Sequence, residues 1–163
     1  MSVASGFVRT AVLAAGIAVS ACATNSMVSQ REPVMPTNAE AGLAVKGYDP
    51  VAYFADGKPE QGNPAITTRW HGATYQFSSN EHRQAFLADP DHFAPQFGGF
   101  CAYAISRGTI ADVDPNEWAV VNNHLYLNNN AVAQRIWNLD RPSNIVAGDK
   151  NWPLVPKLPE PVG

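Results

Sequence analysis

Cysteine is scarce in this chain: its 163 residues contain two, Cys22 and Cys101. There is no Cys-x-x-Cys pair, and the four histidines (71, 82, 92 and 124) include no His-x-x-x-His pair. The spacing that announces a four-ligand zinc centre is thus missing. Charge is sparse as well. Charged residues make up 15% of the chain, the formal net charge is −3 and the pI is near 5.7. The lysines and arginines are scattered rather than clustered, so the electrostatic footprint of a nucleic-acid binder is absent. The apolar run Thr10 to Ala18 is too short to span a bilayer. What the chain does have is apolar material: hydrophobic residues are 45% of it, enough for a packed core and too much for global disorder. The length suits one domain.

The N-terminus reads as a targeting segment. Arg9 supplies a thin positive region, Thr10 to Ala18 the apolar stretch, and Val19-Ser20-Ala21-Cys22 follows with small residues before a cysteine. This is the pattern of a bacterial lipobox. It predicts a signal peptide over 1–21, with Cys22 becoming the lipidated first residue. No Asp follows Cys22, so the expected destination is the outer membrane of a Gram-negative cell, facing the periplasm. The membrane is then a partner through the lipid. Cys101 is left as an unpaired thiol in an oxidising compartment.

Residues 22–41 are polar and small, with Pro33 and Pro36, and read as a flexible tether. The domain is expected over 42–156, with a frayed tail over 157–163. Leu43 to Gly47 is a strand candidate, and Asp49-Pro50 starts a turn. Ile66–Trp70 and Ala73–Phe77 flank His71-Gly72, which predicts a hairpin. Trp118–Val121 and His124–Leu127 flank Asn122-Asn123 and predict a second one. Ser78 and Glu81 have capping-box spacing before a helix ending near Ala88, with His82 and Phe86 on one face. Asp89-Pro90 predicts a second short helix, with Phe93 and Phe97 four apart on that turn until Gly98-Gly99 stop it. Asp114 to Glu117 reads as a turn or one helical turn. Asn129 or Asn130 should cap a helix whose core stripe is Val132, Ala133, Ile136 and Trp137. Another short helix is expected over Ser143 to Lys150. The predicted fold class is α+β: two antiparallel hairpins forming a small sheet, with short helices packed on it.

The densest aromatic and small-residue run is Phe97-Gly98-Gly99-Phe100-Cys101-Ala102-Tyr103-Ala104. It accompanies Gly47-Tyr48-Asp49-Pro50-Val51-Ala52-Tyr53-Phe54, then Trp70 to Phe77, Phe86 to Phe93 and Asn151-Trp152-Pro153. In that order, over most of Leu43 to Leu154, these pieces resemble the YHS-domain family, specifically its small bacterial secreted or lipid-anchored branch. The wider family looks like a small metal-binding module of copper-transporting ATPases and related proteins. Its three cysteine positions fall here on Ala52, Ser78 and His82. Cys101 belongs instead to the Gly-Gly-Phe-Cys-Ala-Tyr element of the branch. The resemblance therefore implies a metal function rebuilt from other ligands, or lost.

Two readings follow. In the first, the anchored module binds copper or another transition metal through Cys101 and His82, with Tyr103 or Asp49 helping and Tyr48 a further pocket candidate. In the second, it is a metal-free structural or protein-interaction module of the envelope, and Cys101 is a packed small hydrophobe. His71, His92 and His124 are expected to face solvent. Catalysis has little to recommend it, because no His or Asn partner for Cys101 is identifiable by spacing. The apolar neighbours also argue against a redox thiol.

Overall fold

The computed structural model describes residues 36–157. The expected signal peptide, Cys22 and most of the tether lie outside the described residues, as does the tail from 158 onward. The α+β class holds. Two short strands, β1 (Ala39–Glu40) and β2 (Leu43–Ala44), lead into helix α1 (Ala52–Ala55) and a hairpin of β3 (Asn63–Trp70) and β4 (Ala73–Phe77). Helices α2 (Asn80–Ala88), α3 (Pro90–Phe93) and α4 (Ala102–Ser106) follow. The second hairpin is β5 (Asp114–Val121) and β6 (His124–Asn128), and the described chain closes with α5 (Ala131–Leu139), α6 (Arg141–Asn151) and a 3₁₀ segment, Trp152–Lys157. The hairpins lie in separate sheets: one of four strands, ordered β1-β2-β4-β3, and one of two, β5-β6. None of the described helices is long and apolar enough to cross a membrane.

Both hairpin turns form where the sequence places them. His71 and Gly72 take φ of 46° and 82°, and Asn122 and Asn123 take 50° and 65°. Two successive positive φ values give the turn whose twist matches the flanking strands, and Gly and Asn tolerate it best. The first sheet packs Tyr75 and Phe77 against Phe86 of α2. Burial pushes the phenols of Tyr53 and Tyr75 far above their ordinary pKa. Strand β6 is buried on both faces. Leu125 and Leu127 join the cluster that holds Tyr75 and Cys101, whereas Tyr126 points the other way, to Phe97, Ile105 and Trp137. Alternation along one strand thus serves two cores.

Several expectations are corrected. The strand at Leu43 stops at Ala44, because Val45, Lys46 and Gly47 all have positive φ (52°, 52°, 82°) and make a left-handed turn. A second such turn, at Phe97, Gly98 and Gly99 (55°, 59°, 81°), separates Phe97 from α3, which ends at Phe93. Asp114 to Glu117 belongs to β5, with an irregular register between Asp114 and Trp118. The cap of α2 is Ser79, whose hydroxyl accepts from the His82 amide; Ser78 is engaged elsewhere. Residues 36–41 are part of the fold rather than of a tether, since Ala39–Glu40 pair with Leu43–Ala44. The apolar stripe of α5 divides: Ala133 and Trp137 are buried, whereas Val132 and Ile136 are exposed.

Candidate functional site

Cys101 caps the N-terminal end of α4. Its amide donates to the Ala111 carbonyl, and its carbonyl accepts from the Ile105 amide. The side chain is 1% exposed. The sulfur accepts a hydrogen bond from the Asn129 amide at 3.3 Å and faces Asn128 Oδ1 at 3.6 Å. Asn128, itself fully buried at the end of β6, also accepts from the Tyr103 amide and donates to Gln134 Oε1 at 2.6 Å. Gln134 in turn donates to the Trp118 carbonyl. The thiol is thus one member of a buried amide network tying α4, β5, β6 and α5 together. A hydrogen-bonded sulfur sealed in this way behaves as a structural group.

His82 is engaged in a different network. Its Nδ1 donates to Asp49 Oδ2 at 2.7 Å, and its Nε2 lies 3.8 Å from Asp56 Oδ2. Asp49 is fully buried and fully satisfied. Oδ2 accepts from the Ser78 amide and hydroxyl, both at 2.8 Å, as well as from His82, and Oδ1 accepts from the Val51 amide at 2.9 Å. One carboxylate therefore joins the turn before α1, the end of β4 and the first turn of α2. Four donors on a buried anion are what such burial requires.

Cys101 and His82 thus have separate sets of partners, Asn128 and Asn129 for the sulfur, and Asp49, Ser78 and Asp56 for the imidazole. Tyr103 meets the cysteine network through its backbone amide, and its ring lies under the Arg107 guanidinium at 5.1 Å. Tyr48 lines a polar cleft of about 450 Å³ with Lys46, Asp112, Asp114, Asn116 and Asn129. Positions 78 and 82, where the resemblance puts two family cysteines, do converge, with Ser78 Oγ 3.2 Å from His82 Nδ1. They hold a carboxylate there. Among the described residues no group of three or more His, Cys, Asp and Glu side chains is arranged to hold a metal ion. His71 stacks on Trp70 in its turn, and His124 is exposed as expected. His92 is half-buried against Phe54 and Phe93, which corrects its placement in solvent.

In the polar cleft, Lys46 Nζ lies 2.5 Å from Asp112 Oδ2 and 4.0 Å from Glu40. The hydrogen bond to Asp112 lifts the Lys46 ammonium above its ordinary pKa, against partial desolvation. Burial pushes the Asp112 carboxyl up, but the Lys46 ammonium and the Asn38 amide outweigh it and hold the group below the usual carboxylate range. Asp114 is lowered by the backbone and side-chain amides of Asn116.

The double glycine has a structural use. The Asn38 amide donates to the Gly98 carbonyl at 2.8 Å, and its side chain donates to the Gly99 carbonyl. A Cβ on Gly98 would sit 2.2 Å from the Pro36 carbonyl oxygen and 3.0 Å from the Trp152 ring. Only glycine allows that approach at φ +59°. The bend is a berth for residues 36–38.

Sequence reasoning passed over Asn128 and Gln134. The run Asn128-Asn129-Asn130 was a visible signal, but it reads as helix capping, and only Asn130 caps α5. The fold and its networks define a small α+β domain held together by buried polar clamps, with one amphipathic helix left partly uncovered. No family model, curated protein or solved structure matches the chain.

Proposed function

We propose that this chain is a lipid-anchored module of the bacterial cell envelope that works by docking rather than by catalysis or metal chemistry. Cys22 holds it to the outer membrane on the periplasmic side, and Cys101 is a core residue. The YHS resemblance is kept as an architectural likeness, not as a metal site. The observation that carries the reading is on α5. Val132, Ile136 and Leu139, at i, i+4 and i+7, form an apolar stripe about a third of a turn round the helix from the face buried by Ala133 and Trp137. A second apolar face without a partner among the described residues is a surface built for contact.

Two measurements test the proposal. Palmitate should be incorporated into the parent chain in a Gram-negative host and not into Cys22→Ser. Elemental analysis of the purified chain should give the same metal content for the parent and Cys101→Ala, with stability lowered by about 1–2 kcal/mol. A stoichiometric metal that co-purifies with the parent and is lost in Cys101→Ala would overturn the docking reading.

A further inference from the structure

We infer that the exposed ridge of α5 rests on the phospholipid surface to which the chain is tethered, so that the domain lies against its membrane. The inference deepens the envelope reading and rests on it. Val132 is 67% exposed, Ile136 37% and Leu139 80%. Arg135 lies three residues after Val132 and four before Leu139, beside the ridge on the same side of the helix. No acidic residue lies within Ala131–Leu139. On α6, Val146 is 69% exposed and lines a shallow cleft of about 360 Å³ with Lys150 one turn later, although Asp149 stands beside them. Apolar side chains flanked by cations suit the boundary between acyl chains and anionic headgroups.

The chain outside the described residues favours lipid over a protein partner. About 14 residues separate Cys22 from Pro36, a reach of roughly 50 Å when extended and on the order of 20 Å as a coil. Pro36 packs beside Gly98 and Trp152, and Trp152 directly follows α6. The tether thus meets the domain at the end of the helix that carries Val146 and Lys150. Leu139, the end of the ridge, is separated from the start of α6 by Asp140 alone. A short tether gives the ridge an effective lipid concentration in the millimolar range, at which weak interfacial binding is populated.

The test uses the mature chain, residues 22–163, carrying Cys22→Ser. It is sedimented with vesicles of phosphatidylethanolamine and phosphatidylglycerol at about millimolar lipid. Most of the protein should pellet with the vesicles. The triple variant Val132→Ser, Ile136→Ser, Leu139→Ser should lose at least about tenfold in partitioning. Arg135→Glu should lose about fivefold, with added salt acting in the same direction. Circular dichroism confirms that each variant is folded; should the triple variant unfold, Leu139→Glu alone takes its place. Absence of vesicle binding, or binding that the folded ridge variants leave unchanged, overturns the inference. So does a dimer or protein complex formed through the ridge without vesicle binding. Ridge-dependent binding in a chain whose parent takes up no palmitate would leave the ridge as a lipid-binding surface and overturn the tethered arrangement.

Discussion

Replacing Asp49 by Ala removes the acceptor of four hydrogen bonds at once, from the Val51 amide, the Ser78 amide and hydroxyl, and His82 Nδ1. The two backbone donors matter most, because they cannot turn away. Each loses a bond to a charged group, worth about 1.5–3 kcal/mol net. The Ser78 hydroxyl and His82, whose side chain is 17% exposed, can turn toward water and add little. Losing the buried charge itself relieves some desolvation. The expected cost is about 3–5 kcal/mol, a large part of the 5–15 kcal/mol that holds an ordinary domain together. For a domain of this size that lowers Tm by about 10–20 °C. Asp49→Asn keeps one acceptor oxygen for a backbone amide and should fall between Ala and the parent. Thermal and urea unfolding followed by circular dichroism measure all three proteins. If Asp49→Ala lies within about 1 kcal/mol of the parent, or Asn is no better than Ala, the carboxylate is not the clamp described above.

Two further perturbations probe other parts of the fold. Gly98→Ala should strain the left-handed turn by about 1–2 kcal/mol and push Pro36 from its berth, so limited proteolysis should cut near residues 36–41 sooner than in the parent; unchanged cleavage there would contradict the contact. The Lys46–Asp112 pair should contribute stability with a defined pH window. Asp112 is held below its ordinary value, so its contribution is present above the unfolded carboxyl pKa and is lost as pH falls through the lower folded one. Lys46 is raised, so its share is present below its unfolded pKa and is lost as pH rises through the higher folded value. Unfolding midpoints for the parent and Lys46→Met should converge at both extremes; a constant difference across pH would refute the pair's role.

The parts of the fold legible in sequence are those fixed by neighbours along the chain. His71-Gly72 and Asn122-Asn123 announce their turns because positive φ demands such residues. Asp89-Pro90 starts α3 for an equally local reason. The left-handed turns were hidden, since Val45 and Phe97 are poor residues for positive φ and only tertiary packing holds them there. The α5 stripe was read as core because periodicity gives an apolar face without saying which element covers it. The candidate residues were partly visible, His82 by its place on α2 and Cys101 by its rarity. Their partners Asp49, Asn128 and Asn129 lie 27 to 33 residues away and leave no trace in local spacing.

The berth at Gly98 has a mechanical consequence. Any pull arriving from the N-terminal side is taken first by the Thr37 hydroxyl's bond to the His71 carbonyl, next by the bonds of Asn38 to Gly98, Gly99 and Asp112, then by the two-residue pairing of β1 with β2. These few bonds form a fuse at the edge of the molecule. They can be peeled open and can close again while both hydrophobic clusters, the Asp49 clamp and the amide network around Cys101 stay unloaded.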